Sequence, residues 1–422
     1  MRRLTVENFS CVDRAELILG RLTVIIGPQG SGKSVLSKLT YFFQDLLLEQ
    51  YKVLEDGGDI RSFKEHIKIR FKELFPVSAW GNRRFCIEFE AGAFHVRMTR
   101  VERNQILSDN MRITLSPFFE GQYKDSLDAI KHSVERTRNS NSADEFDGIW
   151  TVREAAEKRI AAELGQDHVQ AQTFIPAGRA FFTSVGKALA VFENGGILDP
   201  IILSFGRLFA NLRDRRFFIS SAERSARRNA SNQKQLESIL GGKIVWGREN
   251  NYIEASDGRK VPFSALSSGQ QELMPLWVVL DYLSGRRGAK RLVFIEEPEA
   301  HLFPLAQSHL VEVLASLTFS ATNSLDMVLT THSPYVLAKI NNLIKAASIA
   351  QLGERYQRSV AEIVRPTSWV PAGATQAYCI HQSELLSIID DDGLIDGSYL
   401  DHVSGDISEE FTRLLAIETE NG

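Results

Sequence analysis

Apolar positions along the chain recur with two periods, and each period predicts elements. Leu4–Phe9 and Ala15–Leu19 read as two short strands. Leu22, Val24, Ile25 and Ile26 form a nearly continuous apolar run, which predicts a strand over Arg21–Ile26 buried on both faces. A glycine-rich turn, Gly27–Ser34, follows it, and Val35–Glu49 carries a helical pattern. Residues 50–75 are charged and are expected to be helical. Arg84–Arg100 alternates, with Phe85, Ile87 and Phe89 on one face of a strand. The polar stretch Asn139–Asp147 reads as an exposed loop, and Val152–Leu164, rich in Ala, Glu, Lys and Arg, as a helix. Residues 181–240 look mostly helical and separable. Lys243–Trp246 and Tyr252–Ala255 suggest a hairpin, with Asp257-Gly258 as a turn signal after it. Arg291–Ile295 and Asp326–Thr330 are two more buried strands. There is no internal repeat.

Composition changes this picture little. The chain has 422 residues, 43% of them apolar, enough for two or three domain-sized units with real cores. Lys and Arg total 49 against 53 acids, a formal charge of −4, so the chain as a whole is not built to coat nucleic acid. Charge is uneven, however. Segment 207–228 holds seven arginines (207, 213, 215, 216, 224, 227, 228) against two acids, and Glu384–Gly422 has eleven acids against one arginine. Cys11, Cys86 and Cys379 are far apart with no C-x-x-C pair, which signals neither zinc nor a disulfide framework and suits a reducing cytoplasm. No signal-peptide pattern opens the chain, and the longest apolar run, Leu273–Leu283, is interrupted by Asp281.

Four motifs carry chemistry. Gly27-Pro28-Gln29-Gly30-Ser31-Gly32-Lys33-Ser34 fits G-x-x-x-x-G-K-[ST]. Glycines let backbone N–H groups curl around phosphate oxygens and the next helix offers its positive end. Lys33 is expected on the β- and γ-phosphates and Ser34 on Mg²⁺. The strand ending at Ile295 runs into Glu296-Glu297-Pro298-Glu299, which puts carboxylates at the sheet's carboxyl edge. Glu296 is expected near Mg²⁺, and Glu297 is expected to polarise the attacking water. Leu266-Ser267-Ser268-Gly269-Gln270-Gln271-Glu272 offers hydroxyls and a free N–H at a helix start, although alone it reads as a plain Ser-Gly cap. Thr331-His332-Ser333-Pro334 follows an apolar strand, 35 residues beyond Glu297.

In this order the motifs resemble the phosphate loop, signature, acidic strand and switch histidine of ABC-type ATPase heads, with Ser268 replacing the first glycine of L-S-G-G-Q. Gly269 lies 236 residues beyond Lys33, which leaves room for a long insertion and is unlike the compact transporter heads. Glu296-Glu-Pro-Glu-Ala-His-Leu-Phe-Pro304, Phe174-Ile-Pro-Ala-Gly-Arg179, the opening Glu7-Asn8-Phe9 and the tail Leu394–Ser404 are similar to OLD-type and AAA15-type ATPases of bacterial antiphage systems, relatives of the SMC, Rad50 and RecF heads. The resemblance implies an α/β fold, an ABC-type head of mixed sheet and helices, with a helical insertion and a small C-terminal extension. The expected organisation is an N-terminal head lobe over 1–125, a mostly helical insertion over 126–240, a C-terminal head lobe over 241–345 and an acidic extension over 346–422. No TOPRIM-like pattern of strand-anchored acids follows the switch histidine, and Asp390-Asp391-Asp392 reads as a solvated turn, so nuclease activity is not expected. The chain also lacks the long coiled coils of SMC and Rad50.

The resemblance further implies two ATP molecules sandwiched in a homodimer or higher oligomer. Each would lie between Gly27–Ser34 of one copy and Ser267, Ser268, Gly269 and Gln270 of the other, with catalysis by Glu297, His332 and Lys33. The expected function is a cytoplasmic sensor or scaffold ATPase of an antiphage complex, like the ATPase subunits of PARIS, Septu and some retron systems. It would answer a phage-encoded trigger and control a separately encoded nuclease or toxin. The alternative is a RecF- or Rad50-like DNA-repair ATPase whose arginines in 207–228 contact DNA phosphates. Gln44 is the lid-glutamine candidate, and Arg179 is either a nucleotide-side residue or a structural pin.

Overall fold

The computed structural model describes residues 1–140, 145–185, 198–218, 230–246, 251–285, 290–319, 325–397, 409–410 and 412–413. Its first third holds strands β1 (Arg2–Phe9), β2 (Val12–Ile18) and β3 (Leu22–Ile26), helices α1 (Lys33–Glu55) and α2 (Ile60–Leu74), and strands β4 (Cys86–Ala91), β5 (Phe94–Arg103) and β6 (Ile106–Leu115). The middle holds α3 (Pro117–Ser140), α4 (Glu145–Leu164), β7 (Ala171–Ile175), α5 (Ala180–Val185), α6 (Pro200–Phe218) and α7 (Ala230–Leu240). Strands β8 (Gly242–Val245), β9 (Tyr252–Ala255) and β10 (Lys260–Pro262) form a small separate antiparallel sheet, with Asp257-Gly258 turning between the last two. Then come α8 (Ser268–Ser284), β11 (Arg291–Glu296), α9 (Pro304–Phe319), β12 (Leu325–Thr331), α10 (Pro334–Ala350), α11 (Glu354–Ile363), β13 (Thr375–His381) and β14 (Glu384–Ser387).

Among the described residues the main sheet has eleven strands, in the order β6-β5-β4-β1-β2-β14-β13-β3-β12-β11-β7. It is mixed. β6, β5, β4, β1 and β2 pair antiparallel, whereas β13, β3, β12, β11 and β7 pair parallel. β14 joins the halves, antiparallel to β13 and parallel to β2. Every residue of β3, β11 and β12 is buried, as expected of parallel strands covered on both faces.

The period of two divides these strands between two cores. Ile25, Leu292, Phe294, Val328, Tyr378 and Ile380 face α1 with Leu36, Leu39, Phe42 and Phe43. Val24, Ile26, Val293, Ile295, Met327, Leu329, Ala377 and Cys379 face the opposite side, with Leu276 and Val279 of α8, Leu314 of α9 and Ile340 of α10. The N-terminal core is aromatic. Phe9 lies 5.0 Å edge-on from Phe85, 5.5 Å from Phe75 and 5.6 Å from Phe71, in the geometry that adds about 0.5–1.5 kcal/mol per pair beyond burial.

Three segments behave differently from their composition. Of the polar stretch Asn139–Asp147, residues 139–140 end α3 and 145–147 begin α4, two helices that pack on each other; residues 141–144, between them, lie outside the described set. The 126–240 span contributes β7, which pairs with β11 in the main sheet, and Phe205, Phe209, Leu236 and Leu240 of α6 and α7 join the core beneath α8. The acidic 346–422 segment supplies β13, which lies directly beside β3 at the centre of the sheet. Part of the tail motif, residues 398–404, falls outside the described set. Asp390, Asp391 and Asp392 are exposed in a turn closed by the Ile389–Ile395 bridge. Among the described residues no helix is long and apolar enough to cross a membrane.

Candidate functional site

The parallel register brings four loops to one edge. Ile26 pairs with Thr331, Thr330 with Glu296, and Ile295 with Ile175, so the segments that follow β3, β12, β11 and β7 leave the sheet at the same level. This carboxyl edge is where α/β folds bind ligands.

The glycine loop runs from the end of β3 to the start of α1. Gly30 and Gly32 have φ of 74° and 108°, a region L-residues avoid, and a Cβ on Gly32 would lie 2.7 Å from Val12 Cγ2. Pro28, Gln29, Gly30 and Ser34 are exposed, whereas Gly27 is buried. Lys33, at the first position of α1, is buried and donates from Nζ to the carbonyls of Gly27 (2.8 Å) and Pro28 (2.7 Å). Burial pushes the Lys33 ammonium below its usual range, and the carboxylates of Glu297 and Glu299 only partly offset this.

His332 Nδ1 lies 3.4 Å from Lys33 Nζ, and His332 Nε2 lies 3.1 Å from Glu297 Oε1. An ammonium only donates, so this arrangement suits a histidine whose Nδ1 accepts and whose Nε2–H donates to Glu297. Glu299 sets the histidine's backbone: its Oε1 accepts His332 N–H (3.0 Å) and the Thr331 hydroxyl. The sequence showed Glu299 as part of an acidic run without giving it a task. Its signal was its position two residues beyond Glu297, across a proline.

Glu297 itself has φ of 43°, an uncommon conformation for a residue with a side chain. Its N–H donates to Thr330 O (2.9 Å), and its carbonyl accepts from Arg179 Nη2 (3.0 Å). Glu296 is buried; its Oε2 accepts Ala177 N–H (3.3 Å), while its Oε1 is buried with no hydrogen-bond partner. Ser31 Oγ, in the glycine loop, is buried and unpartnered in the same way. An orphaned carboxylate oxygen and an orphaned hydroxyl at the edge of a phosphate loop fit a cation and a phosphate, respectively.

The signature residues are not drawn into this cluster. Ser267 and Ser268 are exposed at the start of α8. Ser267 N–H donates to Gln270 Oε1 (3.0 Å), the reciprocal half of a capping box, and Gln270 Nε2 reaches Leu240 O (2.6 Å). Gly269 is needed for close approach, because a Cβ there would lie 2.6 Å from His301 O, in the turn after the acidic strand.

Of the two residues left open, Gln44 is buried eleven residues into α1, about 16 Å along the helix from Lys33, and does not reach the loop. Arg179 is fully buried and donates to four backbone carbonyls, so its side chain acts as a pin. Of the seven arginines in 207–228, Arg224, Arg227 and Arg228 lie outside the described residues, as do the side chains of Arg215 and Arg216. Among the described residues one group of potential metal ligands lies elsewhere, Glu88, Glu90 and His95, but Arg97 and Arg3 already pair with its carboxylates.

Solved structures similar to this chain include the SMC head domain from Thermotoga maritima, at 12% identity over 92% of this chain and 97% of that one, with a TM-score of 0.35. Another is the Smc head domain with an extended coiled coil bound to the C-terminal domain of ScpA, from Pyrococcus furiosus, at 12% identity over 97% and 99% with a TM-score of 0.38. No curated protein matches the chain. A family profile does match, over residues 22–338, from β3 into α10. The chain therefore belongs to the family described as "AAA domain, putative AbiEii toxin, Type IV TA system".

Proposed function

We propose that this protein binds and hydrolyses ATP between two copies of itself, as the sensor or scaffold subunit of a prokaryotic antiphage complex that controls a separately encoded nuclease or toxin. The observation that carries the ATPase reading is the convergence of Lys33, His332 and Glu297 at the ends of three adjacent parallel strands, with His332 within hydrogen-bond reach of both the other two. The family description, which refers to a toxin of a type IV toxin–antitoxin system, supports a defence setting with a separate partner.

In this reading Gly27, Pro28, Gln29, Gly30, Ser31 and Gly32 wrap the phosphates. Lys33 exchanges the carbonyls of Gly27 and Pro28 for β- and γ-phosphate oxygens, which restores a compensating charge to a buried ammonium. Glu296 and the Ser34 hydroxyl would hold Mg²⁺, which supplies neutralisation of the triphosphate when bound. Glu297 orients the attacking water and accepts its proton, and His332, held by Glu299, keeps that carboxylate in place. The exposed Ser267 and Ser268, with the half-buried Gly269 and Gln270, meet the γ-phosphate held by the second copy. ATP then favours the closed pair because it touches both faces, and hydrolysis removes that difference in affinity.

The test has two stages. Purified protein should hydrolyse ATP in a metal-dependent way, and the locus with its neighbouring genes should reduce phage plating, an effect lost in Glu297→Gln. Plating unchanged when the wild-type locus is deleted would reject the defence role while leaving the ATPase standing.

A further inference from the structure

The signature helix and the Glu297 turn are tied together inside one chain at two points. Arg179 makes the first tie. Its Nη1 donates to Pro176 O (2.9 Å) and Glu296 O (2.7 Å), its Nη2 to Glu297 O (3.0 Å) and its Nε to Glu272 O (3.1 Å). Glu272, one turn into α8, answers with its carboxylate: Oε2 accepts Arg179 N–H (3.0 Å) and lies 3.3 Å from Nε, while Oε1 accepts Ala180 N–H (3.1 Å). Both side chains are buried, so neither charge is shared with water. Gly269 against His301 O is the second tie. A planar fork spreads its donors over three nitrogens and so reaches carbonyls on three separate segments at once, whereas the three donors of a lysine all leave one atom.

We propose that Arg179 and Glu272 are positioning residues that transmit the state of α8 to Glu297, and so couple the two nucleotides of a closed pair. The inference rests on the head-pair reading above. The first turn of α8 presents Ser267 and Ser268 outward and Glu272 inward. A shift of this capped turn when the partner's γ-phosphate docks or leaves must move the Arg179 fork, because a buried guanidinium cannot leave donors unpaired cheaply. The fork holds the carbonyls of Glu296 and Glu297, where the left-handed φ of Glu297 aims its side chain. Each α8 touches the nucleotide bound by the other copy, so the link runs from one site to the other.

The experiment compares wild type, Arg179→Lys and Glu272→Gln for steady-state hydrolysis, direct binding of a non-hydrolysable ATP analogue, and backbone hydrogen exchange. Wild type should show sigmoidal hydrolysis with a Hill coefficient approaching its two-site limit of about 2. The variants should lose roughly tenfold to a hundredfold in kcat, with the Hill coefficient falling to about 1 and analogue affinity within about threefold of wild type. Unchanged kcat and Hill coefficient would overturn the proposal, and so would a parallel loss of kcat and affinity at constant Hill coefficient. If the wild type does not hydrolyse ATP at all, the head-pair reading falls, and exchange tests the tie by itself. Amides of Glu297–Leu302 and of the first turn of α8 should then exchange about tenfold faster in both variants, and exchange equal to wild type overturns the tie.

Discussion

His332 holds Glu297 by one hydrogen bond, 3.1 Å from Nε2 to Oε1, while its other ring nitrogen faces the Lys33 ammonium at 3.4 Å. This chain of three groups orients the carboxylate from behind. Glu297→Gln should therefore retain nucleotide binding and lower turnover by about 10² or more, because the amide keeps the shape but takes no proton. His332→Ala should lower kcat by a smaller factor, about tenfold, through loss of orientation. Phosphate release under single-turnover conditions reads both.

Lys33→Met should abolish the thermal shift produced by ATP. The unliganded protein should be no less stable than wild type, because burial holds the Lys33 pKa below its unfolded value. A protonated group with a depressed pKa costs stability at neutral pH, and the cost fades as pH rises. Thermal unfolding with and without nucleotide checks both halves.

Gly269→Ala should disturb hydrolysis without unfolding the chain. The added Cβ meets a backbone carbonyl at 2.6 Å, so either α8 or the His301 turn must shift, at a cost of about 1–3 kcal/mol. Circular dichroism beside an ATPase assay separates the two effects; wild-type turnover in this variant would refute the close approach.

Asp326→Ala should be among the most damaging core changes. Asp326 is buried on β12 and pairs with the buried Arg2 of β1 and with Lys290 (3.2 Å). Removing it leaves a buried guanidinium without its counter-charge, a loss of about 3–5 kcal/mol in denaturant titration.

Glu312→Gln should flatten the acid limb of the stability curve. Burial opposes ionisation of this carboxyl, but Lys339 (2.6 Å), Gln235 (2.7 Å) and Arg365 (3.3 Å) outweigh it and hold its pKa below the usual carboxylate range. That stabilisation is present above the unfolded pKa of about 4.3 and is lost as pH falls through the folded value. The variant should be weaker than wild type at pH 7 and approach it near pH 3, as followed by chemical denaturation across that range.

Local chemistry made much of this protein readable from its residues in order. Continuous apolar runs marked β3, β11 and β12, because strands covered on both faces have no polar side to show. The glycine loop, the paired glutamates and the histidine were legible because each sits next to such a strand, and loop geometry depends on neighbours in sequence. The place of β13 was not legible: a strand in an acidic C-terminal segment pairs with β3 across more than three hundred residues, and register over that distance leaves no local trace. Nor were the tasks of Glu299, Glu272 and Arg179. Each is a charged residue whose work is to satisfy backbone groups of distant segments, and burial alone turns those charges from solvated ornaments into fixed supports. Sequence determined which groups the site contains; only the packing of the sheet decided which of them hold the others in place, because hydrogen-bond partners in a dry interior are chosen by proximity in space.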